Sequence, residues 1–519
     1  MKKYAYHGMH LHLHTCFQAG ASMEAQMYQA RKLGMEYLFF TDHDSTLCRA
    51  YPPHVDFSRH RLDDVDENGV RIRFDPLGDC QLDFEGDALR VAAKGEGGAL
   101  LWTRRHWHMI SLLADPHLTL GVTLREGSGH VTLTFSERPP TFEPAKLSYP
   151  LRPGKNELDL LLSDEMPPEL GGLDNALTGV EFHVSGGTLL VDTLRLDCLH
   201  DAAEIHRRQK ELAARLGQAY GVCPFVGFEV SAAGEHKSCY STRVPILDYT
   251  KYKHPLGERQ AADYLLSHHA VFSYNHPFLH AALHKKEELS AEDIALAVRH
   301  TAADLIATRA YGACAIEIGF PEGRGKGFGL AEHLTLWDML SAAGLFLTGV
   351  GDSDSHSAKV GWHAGNNFAT WVAAEAELAF PVPEEAFLAS IRAGRVFTAD
   401  PMAFGGTAEL TCGDLPMGAI LPLTNETARK VQGYTFRADS LAAGARVRII
   451  ADGELYAECV APGGHFAYTY ELAPLHTVSF TRVEVWSKEG RCLLLTNPIY
   501  TVHTDSFAGE IPPSRIYRG

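Results

Sequence analysis

Over residues 1–56, apolar positions alternate with polar ones through His10–His14, recur at helical spacing in SMEAQMYQARKLG, and close into the unbroken run YLFF before the polar TDHDS. Side chains two apart share a strand face and those three or four apart share a helix face, so this stretch predicts strand, helix, strand. Between 57 and 199 the texture changes to short alternating runs broken by Gly, Pro and Asp, among them LTLGVTLREG, HVTLTFSE and TGVEFHVSGG, the spacing of a β-sandwich. From 200 to 400 strand-like runs (FVGFEVS, AVFSYNHPF, ACAIEIGF, LFLTGVGDSDSH) alternate with helical stretches. That alternation predicts an α/β domain with a parallel sheet, open or closed as a (β/α) barrel. The first piece has too few elements to stand alone, so the sandwich is expected to be inserted into one catalytic domain. Residues 401–519 are strand-rich again and predict a second, Ig-like sandwich.

Composition narrows the function classes. The chain has 519 residues, 64 acidic against 47 basic side chains and a net charge of -17, which argues against a nucleic-acid partner. No apolar run reaches membrane-spanning length, no signal peptide is visible, and the ten cysteines form no CxxC pair, so a reduced, cytoplasmic protein is expected. Histidine is the unusual residue, at 28 copies. It is the commonest metal ligand.

The histidines that matter sit at strand ends. In HLHLHT, His12 and His14 are two apart and reach one ion from one face; TDHD presents Asp42, His43 and Asp44 after a buried run. FEVSAAGEH supplies Glu229 and His236, YNHP supplies His276, and GDSDSH places Asp354 and His356 on alternate positions. Each motif alone is weak, since a lone histidine is usually structural. Together, at equivalent strand ends, they supply imidazoles and carboxylates suited to Zn, Mn or Fe.

In that order the motifs HLHLHT, FTDHDS, GFEVS with GEH, NHP and SDSH resemble those of the PHP (polymerase and histidinol phosphatase) superfamily of metal-dependent hydrolases, over 1–56 and 200–400. The ending RVEVWSKEGRCLLLTNPIYTV resembles the CehA/McbA-like branch. The resemblance implies a distorted PHP-type (β/α) barrel, interrupted by the first sandwich and followed by the second. It implies one metal on His12, His14, Glu229 and Asp354, a second on Glu229, His236 and His276, and a third-site role for His43 and His356. Two, and with the third site three, divalent ions are expected. Ala19 stands where the family has a further ligand, with His10, Cys16 and Asp44 as substitutes to consider, and Glu317 resembles another motif of the family sheet.

Two metals sharing a carboxylate hold a water and lower its pKa, so a bridging hydroxide is the expected nucleophile; no GxSxG competes with it. Glu229, His43 and His356 are the expected catalytic residues, the two imidazoles serving the leaving oxygen, while Lys237, Arg243 and Lys359 are candidates to orient an anion. The leading reading is a phosphoesterase on a small-molecule or sugar-linked phosphate ester. The alternatives are a carboxylic or carbamate ester or amide hydrolase, and a carbohydrate-binding module with structural metals. The insert segment NALTGVEFHVSGGTLLVDTLRL resembles carbohydrate-binding jelly rolls, and Trp102 and Trp107 are its candidate stacking residues.

Overall fold

The computed structural model describes residues 3–15, 21–44, 55–59, 61–65, 71–103, 110–231, 234–248, 257–279, 289–318, 328–359, 361–362, 368–424 and 430–516. Strand β1 (Tyr4–Leu13) is followed by helix α1 (Met23–Lys32) and strand β2 (Tyr37–Phe40). Ser22 caps α1 by accepting the Ala25 N–H, and β2 lies parallel to β1 with Met9 opposite Tyr37. The strand Cys223–Val226 adds in parallel on the far side of β2. The other edge of β1 pairs antiparallel with Ala369–Glu375, and the ladder continues through Val396–Ala399 and Cys492–Thr496 into the C-terminal strands, eleven in all.

A second parallel set, Ser273–Tyr274, Ala315–Glu317 and Thr348–Val350, is a separate three-stranded sheet. The expected (β/α) barrel is therefore not formed. The edge of β1 that a ring would need is taken by the antiparallel strand Ala369–Glu375, and strands of two or three residues are too short to carry a closed ladder. Strand makes up 46% and helix 23% of the described residues, with several sheets, so strands dominate rather than a regular α/β alternation.

The strands between Asp63 and Cys198 build one eight-stranded antiparallel sheet of unusually long members, two of 23 residues each. Its ladders slip near Gly78, Gly127 and Gly186, and both halves share one core that includes Phe74, Leu89, Val122, Phe135, Phe182 and Val191. The sheet is thus folded over on itself. Glycine is required at the fold line: a Cβ on Gly98 would lie 2.2 Å from the Phe182 carbonyl oxygen, and one on Gly187 would lie 1.8 Å from that of Glu126.

This sheet is tied to α1. Asp174 accepts the first N–H groups of the helix, from Met23 and Glu24, both at 2.8 Å, and Arg138 pairs with Glu24. Phe142 packs with Ala21, Ala25 and Ala358. In the C-terminal region a four-stranded sheet faces the end of the large one, and Phe436, Leu410, Val447 and Val483 lie in their common core. The eight described cysteines are all free thiols, and no described helix is long and apolar enough to cross a membrane.

Candidate metal centre

β1 is buried on both faces. Met9 and Leu11 enter one apolar core while His10, His12 and His14, equally inaccessible, line the other side. The remaining polar groups arrive where the parallel strands end: Asp42 and His43 after β2, Glu229 in Phe228–Val230, Asn275 and His276 after Ser273–Tyr274, Glu317 at the end of Ala315–Glu317, and Asp352, Asp354 and His356 after Thr348–Val350. A single bridge, His43 to Glu229, joins two of these ends, and another joins Leu13 to Ser355. The ladders let go here, so side chains converge where backbone pairing stops.

Glu229 is the centre. Its Oε1 lies 3.2 Å from His12 Nε2, 3.3 Å from His276 Nε2 and 3.4 Å from His236 Nδ1; its Oε2 lies 2.9 Å from His43 Nδ1 and 3.6 Å from His14 Nε2. Asp354 Oδ1 adds contacts at 2.9 Å to His14 Nε2, 3.6 Å to His12 Nε2 and 3.5 Å to His356 Nδ1. The His14 ring stacks on His356 at 4.2 Å and lies 4.9 Å from His43. Two of these residues hold strained backbones: His276 at φ 37 and Asp354 at φ 47 are left-handed, which costs a non-glycine residue about 1–3 kcal/mol. The turns aim His276 back toward Glu229 and Asp354 toward His14 and His12.

The electrostatics are those of a site built around positive charge. Burial alone would push Glu229 up, but His12, His236 and His43 outweigh it and hold the carboxyl well below the usual range. Asp354 follows the same pattern, with burial opposed by His356 and His276. For His12, burial is opposed and outweighed by Glu229 and Asp352, so the imidazole keeps its proton more tightly than usual. Burial and the neighbouring His356 drive His14 the other way, and burial lowers His43 to about 4 despite Glu229. His12 holds its proton where a divalent cation would compete for the nitrogen lone pair.

Glu229 Oε2, His14 Nδ1 and His236 Nδ1 make no hydrogen bond although water does not reach them. Ligand atoms group within 4.8 Å of one another as His12–His14–Glu229, His43–Glu229–His236, His12–His276–Asp354 and His14–His43–His356. These clusters of His, Glu and Asp fit a divalent metal ion. All eight residues singled out in the sequence as metal ligands meet in one pocket. His276 groups with His12 and Asp354 and His236 with His43, and both rings also lie against Glu229 Oε1, at 3.3 and 3.4 Å.

The supporting residues fare differently. The His10 ring accepts the Ser353 N–H at 3.0 Å and packs on Trp362, so it braces the loop before Asp354. Asp44 accepts from Ser231, and Cys16, Ala19, Trp107 and the Trp102 side chain lie outside the described residues. Lys237, Arg243 and Lys359 pair with Glu258, Glu385 and Glu137 rather than reaching into the pocket. Glu317 lies 2.7 Å from His276 Nδ1, and Asp42 is held by Thr15 and Gln209.

Sequence reasoning missed two residues. Asn275 donates to Glu229 Oε1 at 2.8 Å, and Asp352 lies fully buried beside His12. Asp352 had a signal: in GDSDSH it stands on the same alternation as Asp354 and His356.

No family model matches the chain, and no curated protein matches it in sequence. Among solved structures, a two-domain protein from Bacteroides vulgatus containing a predicted PHP-like metal-dependent phosphoesterase is similar over 95% of this chain and 95% of its own, at 12% identity and a TM-score of 0.34. The family 11 carbohydrate-binding module of a cellulosomal cellulase from Clostridium thermocellum is similar over 28% of this chain and 95% of its own, at 11% identity and a TM-score of 0.19. A family 22 module joined to a Clostridium thermocellum xylanase is similar over 29% of each chain, at 11% identity and a TM-score of 0.21.

Proposed function

We propose that this chain is a metal-dependent hydrolase of the PHP type, acting as a phosphoesterase on a small phosphorylated molecule. The observation that carries the reading is Glu229, a fully buried carboxylate with five imidazoles within 3.6 Å of its two oxygens. A carboxylate in that position can be shared between ions, with His12, His14, Asp354, His236 and His276 completing their coordination. Divalent ions held there would draw a nucleophile from water at neutral pH and polarise the phosphoryl oxygen.

The chain's own residues do the rest. Asn275 orients Glu229 through its amide, whose oxygen accepts from Ser273. His43, His356 and His236 are the partly exposed imidazoles of the cluster, at 12%, 19% and 21%, and the first two lie beside His14, where a substrate would arrive. With its pKa near 4, His43 is neutral at pH 7 and serves as a ligand or proton acceptor. Lys237, Arg243 and Lys359 are paired with carboxylates, and the ions would neutralise a phosphate.

In this reading residues 1–56 and 200–400 form the catalytic unit, 57–199 the inserted unit and 401–519 the C-terminal unit. The decisive experiment assays the metal-loaded protein on p-nitrophenyl phosphate, its bis-ester and p-nitrophenyl acetate. Metal-dependent release from a phosphate ester is expected. Activity on the acetate alone would replace this reading with a carboxylic ester hydrolase.

A further inference from the structure

We infer that Glu317 and Asp352 are positioning residues for the metal centre, their carboxylates set behind Nδ1 of His276 and His12 and so turning both Nε2 lone pairs toward Glu229. The inference rests on the metal-centre reading and adds to it the groups that aim the ligands.

Neither residue reaches Glu229. Glu317 ends its strand opposite Val350 in the neighbouring parallel strand, which brings Asp352, two residues further on, alongside it. Glu317 Oε2 accepts the His276 backbone N–H at 2.8 Å and lies 2.7 Å from Nδ1 of the same ring. Asp352 Oδ1 lies 3.6 Å from His12 Nδ1. On the opposite side of each ring, Nε2 points at one and the same atom, Glu229 Oε1, from 3.2 and 3.3 Å. A neutral imidazole carries one hydrogen and one lone pair, so a carboxylate that takes the Nδ1 hydrogen leaves Nε2 as the ligand atom.

A salt-bridge role for the two carboxylates fails on their partners. Among the described residues neither has a Lys or Arg within ion-pair distance, so they are not halves of structural salt bridges. Asp352 is 0% exposed and neither of its oxygens makes a hydrogen bond, an expensive group to bury without purpose. Nearby donors are committed: the Tyr240 hydroxyl donates to Ser273. The Asn275 amide lies 3.3 Å from His12 Nδ1, but its two hydrogens go to Glu229 and Ser238. Asp352 faces two groups, His12 Nδ1 and the Glu317 carboxyl, and the imidazole is the one that bears an N–H. Carboxylates behind ligating histidines fix the ring and raise its basicity, and losing one typically lowers metal affinity by about 10–100-fold.

The test uses the full chain. Zinc binding is measured by calorimetry for wild type, Asp352→Ala, Asp352→Asn, Glu317→Ala and Glu317→Gln, and ring nitrogens are read by NMR on histidine-labelled, zinc-loaded wild type. The alanine variants are expected to lose about 10–100-fold in zinc affinity at unchanged stoichiometry, with partial recovery in Asn and Gln, which keep an acceptor oxygen. His12 and His276 are expected to bind through Nε2 with Nδ1 protonated. Zinc bound through Nδ1 of these rings, or alanine variants with wild-type affinity, would overturn the inference while leaving the metal centre standing. A wild-type chain that binds no zinc, manganese or iron would instead overturn the metal centre, and this inference with it. Should the alanine variants fail to fold, the wild-type ring spectra decide.

Discussion

Two buried clusters of charge in this molecule are built on opposite plans. At the C-terminal sheet, Arg482 sends Nε and Nη2 to the two oxygens of Asp338 at 2.9 and 2.7 Å and Nη1 to Glu484 at 2.6 Å, while Trp486 donates to the other Glu484 oxygen at 2.7 Å. Each carboxylate oxygen has a donor and each negative group faces a fixed cation. Around Glu229 and Asp354 the neighbours are imidazoles, which carry charge only when protonated, and several ring nitrogens and one Glu229 oxygen make no hydrogen bond. The first cluster closes on itself. The second is complete only when something positive arrives from outside, which separates a structural ion network from a ligand site of the same residue types.

The comparison breaks most sharply at its two centres. Glu229→Ala is expected to remove bound metal and to cut phosphoesterase turnover by about 10⁴-fold or more, the scale of losing a central catalytic group. Metal analysis of the purified variant checks it, and full metal content would contradict the shared-carboxylate role. Arg482→Met should leave the metal content of the folded protein unchanged but cost about 3 kcal/mol, because the buried Glu484 and the half-buried Asp338 lose their cation. Replacing all three by apolar residues should recover most of that loss in a denaturation midpoint. No apolar replacement should rescue the Glu229 cluster.

Both plans bear on what the sequence could reveal. The residues of the Glu229 cluster were legible because each sits at a strand end beside a recognisable short motif, and strand alternation says which residues share a face. The barrel was not: whether β1 closes on a parallel neighbour or pairs with Ala369–Glu375 depends on contacts between positions more than 350 residues apart, and the local pattern of either strand reads the same. Asp352 went unread because a buried aspartate two residues from a ligand looks like part of the same turn. The Asp174 contact with α1 was invisible for a simpler reason. An aspartate in GGLDN suggests a loop, and nothing local shows a helix N-terminus more than 140 residues away waiting to be capped.

That contact gives a smaller prediction. Asp174 accepts two helix N–H groups from within a buried junction, and burial, opposed by those same bonds and by Arg138, raises its pKa to about 7. Asp174→Ala should cost about 1–2 kcal/mol, the upper range for a lost cap, seen as a lower denaturation midpoint. Metal affinity should hold, since Asp174 touches none of the ligands; a tenfold loss would mean that the folded-over sheet holds the metal centre in shape through α1.

The smallest effect concerns an isolated buried histidine, the control for the clustered ones. His206, on the helix Ala202–Tyr220, has its pKa lowered to about 3 by burial and by the Lys210 charge. Its folded pKa lies below the unfolded value of 6.5, so the unfolded chain binds the proton more tightly. The stability it contributes is fully present above that value and is lost as pH falls from 6.5 toward 3. Between about pH 6.5 and 5.5 the loss amounts to about 1 kcal/mol. Denaturation midpoints of wild type and His206→Phe, compared across that interval with metal saturating, should converge by this amount as the pH drops. Parallel curves would mean that His206 is reached by water when the helix breathes, and that burial alone does not keep a histidine neutral in this fold.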